Sequence, residues 1–139
     1  MNSSGESRFD EITSKVGAFY DLYPYPSSPM QDGIPSDFKW YLSYENIHAL
    51  SLGCLPEKEF YQSNSRILDV GCGTGISTVY LAKQNPGAEI LAIDISSKAL
   101  ELARERFYKS GLNETVKVEF KNMNLFSLKE ELKFDFINS

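Results

Sequence analysis

The stretch Asp69-Val70-Gly71-Cys72-Gly73-Thr74-Gly75 limits what this chain can fold into more than any other. It joins a short apolar run at residues 66–70 (RILDV) to residues 76–85, whose apolar spacing is helical. Three glycines in five positions permit backbone angles closed to other residues and let another group approach the main chain. A buried strand passing through such a turn into a helix is the opening unit of a parallel α/β sheet, with its crevice at the carboxyl ends of the strands.

The residues that follow repeat the alternation. Residues 89–93 (EILAI) predict a second buried strand. Ser96 or Ser97 can cap a helix whose inner side carries Ala99, Leu100, Leu102, Ala103 and Phe107, with Gly111 as its stop. Residues 116–120 predict a third strand, and residues 134–137, within FDFINS, a fourth. Alternating strands and helices imply right-handed crossovers and helices on both sheet faces. The expected fold is α/β, a Rossmann-like parallel sheet ordered 3-2-1-4 with amino-terminal helices beside it. The chain ends inside strand four, which would leave an open edge. That predicts a fragment, or a protein whose remaining strands are supplied elsewhere.

Residues 1–64 read as a helical extension with a lid-like segment, and residues 65–139 as the first half of a binding domain. Residues 1–6 are polar and predict a frayed end. Ile12, Val16, Phe19 and Tyr20 mark an amphipathic helix, ended by Tyr23-Pro24-Tyr25-Pro26. A second helix is expected from a cap at Ser36 to Gly53, with Trp40, Tyr41, Tyr44, Ile47 and Leu50 as its core stripe. Glu101, Arg104, Glu105 and Arg106 read as a solvated helix face.

Composition narrows the function classes. One histidine (His48) and two cysteines (Cys54 and Cys72) in 139 residues offer neither a metal cluster nor a disulfide framework. His48 reads as structural or surface. A net charge of -5 argues against a broad grip on nucleic acid or an acidic membrane. No apolar run reaches the length of a membrane span, and the first residues lack the order of a signal peptide. A cytoplasmic protein is the expectation.

Two cofactor classes compete for the glycine loop. A dinucleotide site wants G-x-G-x-x-G with pyrophosphate on the helix N-terminus, which would put the last glycine where Ile76 stands. The spacing here is G-x-G-x-G, and Asp69 lies two residues before the first glycine. A carboxylate there would repel pyrophosphate. It suits S-adenosylmethionine, which carries an ammonium group, a sulfonium charge and no phosphate. Asp94, at the end of strand two, is placed to accept hydrogen bonds from both ribose hydroxyls, a feature shared with dinucleotide enzymes.

ILDVGCGTG resembles the signature loop of class I (Rossmann-like) S-adenosylmethionine-dependent methyltransferases, and the resemblance extends over about residues 65–139. It implies that Asp69 orients the methionine ammonium end and that Gly71, Gly73 and Gly75 line the cofactor, with Cys72 as a small residue fitting the same turn. Asp94 would hold the ribose and Ile95 would pack on adenine. Asn124, in KNMNL, falls where the family usually has an acid; its side-chain carbonyl could accept from the adenine amino group. VGAFYDLYPYP resembles the segment before the core in some bacterial members, in which a tyrosine closes over the cofactor. Tyr20 and Tyr25 are therefore candidates for the methionine carboxylate or the site entrance. Plainer readings stand beside these: Asp94 as a helix cap, Asn124 as a turn residue, Tyr20 and Tyr25 as packing.

The function this implies is methyl transfer from S-adenosylmethionine to a small-molecule acceptor, with no residue singled out as catalytic base. The alternatives are a cofactor-binding module without activity and a nicotinamide-dinucleotide oxidoreductase.

Overall fold

The computed structural model describes residues 3–53, 65–129 and 131–139. Four parallel strands form one sheet: β1 (Arg66–Val70), β2 (Glu89–Asp94), β3 (Lys117–Asn122) and β4 (Phe136–Asn138). Their spatial order is β3-β2-β1-β4, the order expected from the alternating pattern. Asp69 of β1 lies in register with Ala92 of β2 and Asn138 of β4. The helices, in chain order, are α1 (Ser3–Leu22), α2 (Tyr44–Leu52), α3 (Ile76–Gln84) and α4 (Ser97–Ser110).

Strand side chains alternate between the faces of the sheet. On one face Ile67 and Ile90 pack with Val79, Leu81 and Phe107 from α3 and α4. On the other, Leu68, Leu91 and Ile93 pack with Val70, Met123, Leu128 and Phe134. Ile67 and Leu81 are fully enclosed, and each such side chain contributes roughly 1.5–3 kcal/mol through burial. Ser96 caps α4 by accepting the Ala99 N–H at 3.0 Å, and Gly111 closes that helix at φ +76°. These turns place the crevice at the carboxyl ends of β1 and β2.

The amino-terminal residues depart from expectation in three places. Residues 3–6 belong to α1 rather than to a frayed end. No helix starts near Ser36: Trp40–Leu42 form a single 3-10 turn, and α2 begins only after Ser43, whose side chain accepts the Asn46 N–H. The reason lies in α3. The Gln84 side chain bonds both the N–H and the carbonyl of Lys39, at 2.7 and 2.6 Å, and diverts that backbone from a helix. Asn85 then fixes the start of α2, bonding the Tyr44 N–H and the Leu42 carbonyl at 2.7 and 2.8 Å. Trp40 and Tyr41 are 54% and 51% exposed, so they do not form the expected core stripe. Cys54 and the rest of the connector to residue 64 lie outside the described residues. Among the described residues no helix is long and apolar enough to cross a membrane.

Candidate functional site

A cleft of about 310 Å³ opens at the carboxyl ends of β1 and β2. Its floor is Val70, Gly71, Ile93 and Asp94; its β3 side is Ile95, Met123, Asn124 and Leu125; Tyr20 and Tyr25 stand at the rim. The strands explain this placement. Val70 and Ile93 are the last residues of their strands on the sheet face away from α3; β1 ends at Val70 and β2 one residue after Ile93, at Asp94. Among the described residues, none of those lining the cleft is Lys, Arg or His, and the one charged side chain is Asp94.

Asp94 is half-buried. One carboxylate oxygen accepts the Gly73 N–H and the other the Ser96 N–H, both at 2.8 Å. Each oxygen keeps a further lone pair for a ligand. Every other amide of the glycine loop is engaged as well. Gly71 and Cys72 donate to the Ile93 carbonyl, Thr74 to the Tyr25 carbonyl, and Gly75 to the Cys72 carbonyl. The loop therefore presents no free row of N–H groups of the kind that cradles a pyrophosphate.

The three loop glycines have different physical reasons. Gly71, at φ +67°, has nothing within 4 Å of the position a Cβ would take, and it lines the cleft; a side chain there would fill the space a ligand needs. Gly73 also lines the cleft, but a Cβ on it would lie 2.2 Å from the Tyr25 carbonyl oxygen. The close approach at this glycine is to the protein's own chain. Gly75 does not reach the cleft: its Cβ would stand 2.8 Å from both Cα and Cβ of Ala103, so it serves the packing of the loop on α4.

Asp69 requires a correction of its expected contact. It is 1% exposed and does not line the cleft. Its parity with Ile67 turns it toward α3, where one oxygen accepts the Ser77 and Thr78 hydroxyls at 2.9 and 2.6 Å. The other accepts the Asn138 side-chain amide at 2.8 Å. Burial pushes its carboxyl above the ordinary range, and the three hydrogen bonds oppose that shift. Asp69 thus joins the start of α3 to the end of β4. Cys72 is also buried; burial raises its thiol well above the ordinary range, which makes it a packing residue.

Asn124 lines the cleft with both ends of its amide in use. Its carbonyl accepts the Phe126 N–H at 3.1 Å, capping a 3-10 turn, and its NH2 donates to Thr13 of α1 at 2.8 Å. Ile95 lies under α1, with its carbonyl oxygen 3.1 Å from where a Cβ on Gly17 would be. Asp21 accepts the Ser96 hydroxyl and the Lys98 N–H at 2.7 and 3.0 Å, which fixes the end of α1 to the start of α4. Those two donors, Lys98 first, hold its carboxyl below the ordinary range.

Arg106 is the residue that sequence reasoning misplaced. It is 8% exposed rather than solvated. Its guanidinium donates to the carbonyls of Thr74, Pro29 and Ser28 at 2.9, 2.9 and 2.8 Å. Met123 and Leu125 also line the cleft, but single apolar residues after a strand carry no distinguishing pattern; Ala99 lines it from the first turn of α4. A second cavity of about 330 Å³ adjoins the cleft and shares Gly71 and Tyr25 with it; Tyr41, Tyr80, Ile76 and Asn138 are among its walls.

A methyltransferase-domain model matches residues 61–139. An uncharacterized protein of Synechococcus sp. is 42% identical over 142 residues, covering 96% of this chain and 33% of the relative. Among solved structures, PKMT2 from Rickettsia typhi in complex with AdoHcy superposes with a TM-score of 0.55 at 26% identity, over 74% of this chain and 19% of that one. The plantazolicin methyltransferase BpumL, in complex with a triazolic desmethylPZN analog and SAH, gives 0.50 at 26%, over 89% and 39%. The chain thus spans about a third of the Synechococcus relative. With the family model matching more than half of its residues, and the sheet order and glycine loop in place, this chain belongs to the class I S-adenosylmethionine-dependent methyltransferases.

Proposed function

We propose that the cleft binds S-adenosylmethionine and that the protein transfers its methyl group to a small-molecule acceptor. The observation that carries this reading is the charge and donor balance of the site. Asp94 is the one charged lining group among the described residues, and the loop amides are all engaged within the chain. Such a surface repels phosphate and suits a cationic nucleoside.

The residues fit that ligand. Asp94 accepts from the ribose hydroxyls through its remaining lone pairs. Ile95, Met123 and Leu125 enclose the adenine on the β3 side, where the Asn124 carbonyl has a second lone pair for the adenine amino group. Gly71 leaves room for the 5′ substituent, which then runs along β1 toward the second cavity. Tyr20 and Tyr25 wall the entrance. Asp69 acts one layer away, by holding Ser77, Thr78 and Asn138 in place.

When bound, S-adenosylmethionine supplies a methyl group made electrophilic by its sulfonium. The chain's own work is alignment and exclusion of water, a proximity effect. The acceptor belongs in the second cavity, whose Tyr41 and Tyr80 suit an organic molecule and whose one cation, Lys39, is paired with Asp37 at 2.7 Å among the described residues.

Isothermal titration of this chain with S-adenosylhomocysteine and with a nicotinamide dinucleotide tests the reading. One bound S-adenosylhomocysteine per chain and no dinucleotide is expected. Dinucleotide binding without S-adenosylhomocysteine binding would refute it.

A further inference from the structure

The buried Arg106 has no counterpart in the ligand contacts described above, yet it is the most heavily bonded cation among the described residues. Three of its N–H groups end on backbone carbonyls from two separate segments. Thr74 belongs to the glycine loop; Ser28 and Pro29 belong to the segment after α1. The same two segments meet twice more. The Thr74 N–H donates to the Tyr25 carbonyl at 3.2 Å, and its hydroxyl donates to the Pro26 carbonyl at 2.7 Å. Gly73 supplies the space for this meeting, since a Cβ there would overlap the Tyr25 carbonyl.

Energetics favour a single arrangement. A guanidinium removed from water is costly unless its donors are bonded, and here three of its five N–H groups end on carbonyls in a fixed fork. Displacing residues 25–29 would leave that charge buried with fewer acceptors. Tyr25 itself is 71% exposed and has little packing of its own to hold it at the rim. Its position follows from the bonds to its own carbonyl and to those of Pro26, Ser28 and Pro29 after it.

The geometry points to Arg106 as a positioning residue for the methyltransferase reaction: from the far side of the glycine loop it fixes Tyr25 over the junction of the cleft and the second cavity. This rests on the proposed cofactor reading. Tyr25 and Gly71 line both spaces, whereas Asn124 and Leu125 lie on the opposite, β3 side. Tyr25 therefore covers the 5′ substituent of a bound nucleoside and leaves its base and ribose alone. Loss of Arg106 should weaken ligands that carry the amino-acid tail and spare those that lack it.

Titrations of the unmodified chain, Arg106→Met, Tyr25→Ala and the double variant with S-adenosylhomocysteine and with adenosine test this. Each single variant should bind S-adenosylhomocysteine about tenfold more weakly while adenosine changes by less than about threefold. The double variant should be no worse than the weaker single variant within about threefold, because one residue acts through the other. Equal losses for both ligands, multiplying losses in the double variant, or unchanged S-adenosylhomocysteine binding by Arg106→Met would overturn the inference. If Arg106→Met does not fold, Tyr25→Ala decides, since its side chain is exposed; wild-type tail discrimination in that variant overturns the inference too. Failure of the unmodified chain to bind S-adenosylhomocysteine overturns the cofactor reading together with this one. Binding without the tail-dependent loss overturns this one alone.

Discussion

At the scale of single residues, the site is held by groups whose roles differ despite similar chemistry. Asp69 and Asp94 are both carboxylates beside one loop and share a face by strand parity, but Asp69 lies within β1 beneath the start of α3, whereas Asp94 ends β2 one residue beyond its last pair with β1. Asp94 meets the cleft; Asp69 meets α3 and β4. The inward direction of Asp69 was legible, because it stands two residues from Ile67 in an apolar strand. Asp94→Ala should weaken S-adenosylhomocysteine about ten- to a hundredfold in titration, as a charge-assisted hydrogen bond contributes roughly 1.5–3 kcal/mol. Unchanged affinity would remove Asp94 from the site. Gly75 makes a different prediction. It combines φ +84° with a Cβ position 2.8 Å from Ala103, so Gly75→Ala should cost about 2–4 kcal/mol in thermal or denaturant unfolding. A loss below about 0.5 kcal/mol would contradict the packing role. Arg106 was illegible for another reason: its neighbours Arg104 and Glu105 are exposed, and nothing in a run of charges marks the one that turns inward.

At the scale of elements, the strand–helix alternation from residue 66 onward was readable because apolar strands, a serine cap and a closing glycine each leave a pattern. The segment from Pro24 to Leu42 was not. Its shape is set by distant side chains, Gln84, Asn85 and Arg106, which bond its backbone across more than forty residues. Helix α1 is likewise placed by tertiary contacts: Asp21 to Ser96 and Lys98 at one end, Thr13 to Asn124 nearer the middle. The Asp21 carboxyl has a folded value below its ordinary 3.8. Its stabilising contribution is therefore complete above about pH 4 and is lost as pH falls through the lower folded value. Asp21→Asn should speed amide hydrogen exchange along the second half of α1 at neutral pH and leave β1 and β2 protected. Equal protection of α1 in the variant and the unmodified chain would show that the anchor is immaterial.

At the scale of the whole molecule, the features of the proposed cofactor site gather at the carboxyl ends of the strands. The β3-β2-β1-β4 order puts an apolar, amide-edged wall on one side, a carboxylate in the middle and a second cavity beyond Gly71. The amino-terminal extension closes the rim from above by bonding to the loop it covers. A ligand should consequently lie in one direction only, base toward β3 and amino-acid tail toward β4. A crystal structure of the chain with S-adenosylhomocysteine tests this most directly. The account predicts ribose hydroxyls on Asp94, adenine between Ile95 and Leu125, and the homocysteine tail passing Gly71 beneath Tyr25. A nucleoside bound in the reverse sense, or at another surface with this cleft empty, would contradict it.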